Sequence, residues 1–112
     1  MGASSVAMTP AERRLAVLEK MVASDKADAF AFYGLAMEYR KPGRVADALG
    51  TFTTLRSRDP GYLPMYLMAG QMLIEHARGS EAAEWLRAGI ELAREKGDMK
   101  ALGELESALA DA

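Results

Sequence analysis

A pattern of apolar and small residues recurs in this chain at an interval of 34 residues. The first copy reads Phe32-x2-Leu35-Ala36-x2-Tyr39-x8-Ala48-x3-Phe52-x7-Pro60. The second copy reads Tyr66-x2-Ala69-Gly70-x2-Leu73-x8-Ala82-x3-Leu86. A fixed period of this length is typical of repeat architectures, in which each unit buries its apolar face by stacking on its neighbours.

The spacing of apolar residues predicts helices along the whole chain. No segment shows the alternation of apolar and polar residues that a strand requires. Four helices are expected near residues 10–24, 28–41, 44–57 and 64–77. Gly79 should close the fourth helix. A fifth is expected between its N-cap Ser80 and Gly97, and a sixth is expected after Asp98. Because the predicted turns are short, neighbouring helices should form antiparallel hairpins.

The composition limits what this chain can do. The 14 Lys and Arg residues against 16 Asp and Glu residues give a net charge of -2, which provides no basic surface for nucleic acid. The absence of Cys excludes disulfides, thiolate catalysis and cysteine zinc sites. No apolar run approaches the length of about 18 residues that a membrane span requires. We therefore expect a cytoplasmic protein that contacts neither nucleic acid nor membrane.

At these residues the chain resembles the tetratricopeptide repeat (TPR) family. That family follows the pattern W-x2-L-G-x2-Y, then A-x3-F, then a closing Pro. In residues 29–62, Phe32 replaces the Trp and Ala36 replaces the Gly, and the matching residues are Tyr39, Ala48, Phe52 and Pro60. Residues 63–96 match more loosely, and Arg94 stands in place of the closing Pro, so the fifth helix should be longer than the third.

The resemblance implies an all-α fold, a right-handed α-solenoid of stacked antiparallel hairpins with about six helices. We expect a disordered tail at residues 1–8 and a single domain at 9–112. The domain divides into a half-repeat at 9–28, repeats at 29–62 and 63–96, and a capping helix at 97–112. Met99-x2-Leu102-Gly103 is similar to the start of a further repeat, but Glu106 stands where an aromatic residue is expected.

Two helices carry apolar residues outside the repeat pattern. In the TPR family, residues at these positions line a groove that binds peptides. The resemblance therefore implies a groove of Phe30, Tyr33, Met37, Leu67, Gln71 and Ile74, with Arg40, Lys41 and Glu75 at its rim. The implied function is that of a small scaffold or adaptor for a peptide or a partner helix. Alternatively, a second copy of the chain covers the same face in a homodimer, or the last helix folds over it.

The remaining candidate residues favour structural roles. His76 is expected at a helix end, since no second metal ligand accompanies it. Trp85 should either cover the seam to the sixth helix or anchor a partner. Met65, Met68 and Met72 should fill the core or, less simply, form an adaptable binding surface. With no phosphate loop, nucleophile motif or paired buried carboxylates, we expect no catalysis, no cofactor and no metal.

Overall fold

The computed structural model describes residues 7–112, whose regular structure consists of six helices. They are α1 (Pro10–Val22), α2 (Ala29–Arg40), α3 (Val45–Arg58), α4 (Pro64–Glu75), α5 (Gly79–Lys96) and α6 (Met99–Ala110). No strand occurs within these residues, and the all-α prediction is confirmed. Of the predicted tail, residues 1–6 lie outside the described part, and Ala7 and Met8 are exposed.

Local side chains fix the start of three helices. At α1, the Thr9 hydroxyl accepts from the Glu12 amide at 3.1 Å, while the Thr9 amide donates to the Glu12 carboxylate at 2.8 Å. Asp28 accepts from the Ala31 amide at the start of α2. Asp98 caps α6 in the same way. Each cap satisfies backbone donors that have no partner inside the helix and is worth about 1 kcal/mol.

The helices form an elongated stack with principal dimensions of 56 × 32 × 20 Å. The most extensive packing joins α2 to α3 and α4 to α5, followed by α5 to α6. These hairpins stack through smaller contacts of α3 with α4 and of α4 with α6, and α1 packs on α2. Each hairpin therefore depends on its neighbours to cover its second apolar face.

The core contains the residues that the 34-residue pattern selected. The small residues Ala36, Ala48 and Ala82 are fully buried, where they let the helices approach closely. Phe52, Leu73 and Leu86 fill the spaces beside them. Burying each of these large side chains contributes about 1.5–3 kcal/mol to folding.

The end of α4 differs from the sequence prediction. Gly79 does not close this helix and Ser80 does not cap the next one, because α5 already begins at Gly79. Instead Ala77 takes the left-handed conformation, with φ of 58°. The Arg78 amide donates to the Leu73 carbonyl at 2.8 Å and the Ala77 amide to the Ile74 carbonyl at 3.0 Å, which completes a Schellman motif.

The same motif ends α2, with Gly43 at φ of 81° in the equivalent position. Gly43 and Ala77 are 34 residues apart, so the repeat places an alanine where its first copy has a glycine. Left-handed backbone costs an alanine about 1 kcal/mol because its Cβ crowds the following carbonyl.

The sixth helix does not follow the register of the earlier repeats. Met99, which stands at the expected start of a further repeat, is 71% exposed, whereas Leu105 and Ala108 are buried. As predicted, α5 is longer than α3, with 18 residues against 14. The connection that follows α5 is correspondingly short, so α6 enters the stack with different residues facing inward.

Three helices meet at Gly89. A Cβ atom added to this glycine would lie 2.6 Å from the Tyr66 Cβ on α4 and 2.9 Å from the Leu105 side chain on α6. Neither neighbour has room to withdraw, because both are buried. Gly89 thus sets how closely α4 and α6 approach α5.

The first helix packs chiefly on α2, and no residue of Pro10–Val22 is fully buried. Leu18 packs against Gly34, where an added Cβ would lie 3.5 Å from it. The Tyr39 hydroxyl donates to the Glu19 carboxylate at 2.6 Å, and Arg14 pairs with Glu38 at 3.0 Å. The Glu19 hydrogen bond, followed by burial, raises the pKa of Tyr39 to about 12.

We expect Ala77→Gly to stabilise the fold by about 1 kcal/mol, because it removes the strain of left-handed backbone. The matched control is Gly43→Ala, which introduces the same strain at the equivalent position and should destabilise by a similar amount. Urea denaturation followed by circular dichroism measures both. Equal stability of Ala77→Gly and the parent would contradict the strain at this helix end.

Gly89→Ala should destabilise the protein by about 1–3 kcal/mol, since its methyl group overlaps two buried side chains. Gly103→Ala is the control: an added Cβ meets no atom within 4 Å there, so better helix propensity should stabilise by up to about 1 kcal/mol. If thermal melts show both variants to be more stable than the parent, α4, α5 and α6 do not meet as described.

The Tyr39–Glu19 hydrogen bond should make stability depend on pH in the alkaline range. Since the folded-state pKa of about 12 exceeds the ordinary value of 10.0, this contribution is complete below pH 10 and is lost as pH rises towards 12. The difference in unfolding free energy between the parent and Tyr39→Phe should therefore be constant from neutral pH to pH 10 and decline above it. A difference that does not change through pH 11 would exclude this hydrogen bond in solution.

Candidate partner-binding face

Three residues of α2 form an apolar stripe outside the fully buried core, against which Tyr33 and Met37 are partly packed. Phe30, Tyr33 and Met37 are spaced three and four residues apart, on a different side of the helix from the buried Phe32 and Leu35. Phe30 is 71% exposed, and Tyr33 and Met37 are half-buried. Asp28 caps the start of α2, just before this stripe begins.

Tyr33 is held by an aromatic neighbour from the next connection. Its ring centroid lies 5.4 Å from that of Tyr62, with the ring planes inclined at 53°. Burial, with a smaller contribution from Tyr62, raises the pKa of Tyr33, while the nearby Arg40 acts in the opposite direction. The phenol is therefore neutral at physiological pH and presents an apolar ring with one polar hydroxyl.

Leu67, Gln71 and Ile74 form the corresponding stripe on α4, and all three are half-buried. We call the two stripes together the groove face: Phe30, Tyr33, Met37, Leu67, Gln71 and Ile74. Its residues extend over two successive hairpins, so their relative positions depend on how those hairpins stack.

Arg40 joins the two helices of the groove face. Its guanidinium donates to the Glu75 carboxylate at 3.0 Å and to the Met68 sulfur at 3.7 Å, both on α4. Two residues predicted at the rim are therefore brought together. The third, Lys41, instead pairs with Glu38 at 3.1 Å, and Arg14 of α1 contacts the same carboxylate. Hydrogen bonding to Lys41, followed by Arg14, lowers the pKa of Glu38.

A third wall beside the groove face comes from α6, which was expected to cap the domain or to fold over this face. Two cavities of about 320 and 820 Å³ lie between α4 and α6, and Glu104 lines both. Leu67 faces the smaller cavity with Ala101, and Ile74 faces the larger with Ala108. Because α6 does not follow the register of the earlier repeats, the 34-residue period did not indicate this wall.

The other candidate residues take structural positions. Trp85 is buried between Phe52 and Tyr66, with ring centroids 6.4 and 6.0 Å away, and the Arg56 guanidinium covers its ring. Its aromatic neighbours belong to α3 and α4, so Trp85 fills the core between these helices and α5. Met65 and Met72 are fully buried and fill the core.

Residues 7–112 contain no cluster of metal ligands and no membrane-spanning helix. His76 forms the C-terminal cap position of α4, as expected. Within residues 7–112, no three His, Asp or Glu side chains are grouped so that they could hold an ion. None of the six helices combines the length and the apolar character needed to cross a bilayer.

Comparison with solved structures finds close matches. A solution NMR structure of a tetratricopeptide repeat domain protein from Salinibacter ruber is 36% identical, with a TM-score of 0.70 over 78% of this chain and 88% of that one. A crystal structure of the tetratricopeptide repeat domain protein from S. ruber matches at 36% identity and a TM-score of 0.67, covering 74% of this chain and 93% of that one.

A solution structure of a protein from Bordetella parapertussis has the same fold at 22% identity, with a TM-score of 0.74 over 93% of this chain and 87% of that one. No protein-family model matches the sequence, and no curated protein matches it.

Proposed function

Because the chain belongs to the tetratricopeptide repeat family, a family of protein-interaction scaffolds, we propose that it is a non-catalytic adaptor that holds a peptide or a partner helix on its groove face. The observation that carries this proposal is the apolar stripe on α2. Phe30 is 71% exposed and continues into the half-buried Tyr33 and Met37. Contiguous apolar side chains that stay exposed mark interaction surfaces.

The chemistry of the groove face favours an apolar or aromatic segment. Leu67 and Ile74 border the cavities beside α6, whose volumes suit several side chains of a docked peptide. Chaperone-binding members of the family carry a clamp of Lys and Asn for a terminal carboxylate. By the resemblance, the matching places in this chain hold Tyr33, Met37 and Met68. An acidic C-terminal tail therefore fits poorly here.

Rigidity is the proposed mechanism of binding. The Arg40 contacts with Glu75 and Met68 hold α2 and α4 together before any partner arrives. Since the scaffold loses little conformational freedom on binding, most of the ordering cost falls on the partner. A flexible peptide that becomes helical or extended on the groove face fits this description.

Selection of peptides from a display library of short random sequences tests the proposal. We expect the selected peptides to be rich in aromatic and apolar residues. Their affinity should fall at least about tenfold for Phe30→Glu and for Leu67→Glu, because a carboxylate would be desolvated against the apolar ligand. Phe30 is a suitable position because its side chain is mostly exposed, so the core should tolerate the change.

The control is Thr53→Glu, which adds the same charge at an exposed position of α3. Its affinity for the selected peptides should equal that of the parent. Light scattering of all four proteins runs beside the binding assay. If the parent dimerises and Leu67→Glu is a monomer, a second copy covers the groove face and the peptide proposal fails. Peptides that bind all variants equally would also contradict it.

A further inference from the structure

Both ends of the stack present a helix that lacks one neighbour among residues 7–112. Inside the stack, the first and second helices of a hairpin make the most extensive contacts, as in α2 with α3 and α4 with α5. α1 packs on α2 as α3 packs on α4. It therefore stands where the second helix of a hairpin would stand, and residues 7–112 hold no first helix to pair with it. The position of α6 after the α4–α5 hairpin is that of a first helix without a second.

The uncovered side of α1 is apolar and basic. Arg13, Val17 and Met21 follow one another at intervals of four residues and lie on one side of the helix. Val17 is 59% and Met21 48% exposed, although aliphatic residues of this size are usually buried. We call these three residues the head face.

The uncovered side of α6 is small and acidic. Met99, Gly103, Glu106 and Ala110 are all exposed and lie along one side of the helix. Gly103 and Ala110 would allow another helix to approach closely, since the distance between packed helices depends on the side chains at the contact. Glu106 has only a distant and exposed partner, Arg94 at 3.7 Å. We call these four residues the tail face.

Charge is distributed unevenly between the two ends. Residues 1–58, which end with α3, carry nine Lys and Arg against six Asp and Glu, a net charge of +3. Residues 59–112 carry five against ten, a net charge of -5. Identical copies therefore repel when like ends meet and attract when opposite ends meet, which favours a head-to-tail arrangement.

We propose that the head face of one copy packs against the tail face of a second copy, so that α6 and α1 of two molecules form an intermolecular hairpin. This junction would provide each end helix with the kind of neighbour that α2 and α4 have within the chain. The contact is heterologous, so it leaves one free head and one free tail and can add further copies. It is a different contact from the proposed peptide-binding role, although Met99 and Gly103 of the tail face also line the larger cavity beside the groove face.

Light scattering over about a hundredfold range of concentration tests the proposal, because association follows mass action. At low ionic strength we expect the average mass to rise from 12.1 kDa to more than twice that value. Raising the salt concentration to about 0.5 M should lower the mass again, since salt screens the attraction between exposed charges.

Two variants, one for each end, identify the faces. Val17→Glu places an acid on the head face, and Glu106→Arg places a base on the tail face, so each variant alone should remain at 12.1 kDa. An equimolar mixture retains one intact head and one intact tail. The mixture should therefore associate at least to a dimer of twice 12.1 kDa. Thr53→Glu, at an exposed position of α3, should associate like the parent.

Three results would overturn the proposal. A parent that stays at 12.1 kDa at every concentration has no such junction. Loss of association in Val17→Glu but not in Glu106→Arg would indicate contact between two heads instead. A mixture of the two variants that remains monomeric would exclude a head-to-tail contact. A fourth result, dissociation by Leu67→Glu but by neither Val17→Glu nor Glu106→Arg, would place self-association on the groove face and contradict both proposals.

Discussion

The close approach of α4, α5 and α6 at two glycines is the constraint on which the rest of the structure depends. A methyl group on Gly70 would lie 2.5 Å from Leu86, and one on Gly89 would overlap both Tyr66 and Leu105. With no side chain at these crossings, the large residues on either side interdigitate at native density. The positions of α4 and α6, and hence of every residue they present to solvent, follow from this contact.

The groove face is a consequence of that packing. The core fully buries one side of α2 and of α4, whereas the apolar residues of the groove face are only partly buried against it. Tyr33 gains partial cover from Tyr62, and Arg40 extends across to α4. These contacts hold the two helices in register without closing the surface, which leaves Phe30 open to solvent.

Much of this fold follows from residue spacing, because a 34-residue period and strong helix signals act locally. Thr9, Asp28 and Asp98 cap helices through short-range hydrogen bonds that spacing reveals. Features that depend on other helices were not predictable in this way. The helix end at Ala77 depends on the repeat imposing a backbone conformation that alanine disfavours. The inward residues of α6 depend on the length of α5 and of the connection after it.

The candidate site likewise combines features that residue spacing predicts with features that depend on contacts between helices. The stripes on α2 and α4 follow from helical period, and Phe30 and Leu67 stand where that period places them. Which charges meet is decided by geometry in three dimensions. Lys41 pairs with Glu38 towards α1, whereas Arg40 reaches α4. Among the six helices that the structure describes, α1 alone has no fully buried residue. Because this helix buries no residue, it can open while the other five remain folded. Each opening would uncover the side of α2 around Gly34, and so expose a second apolar surface at the amino-terminal end.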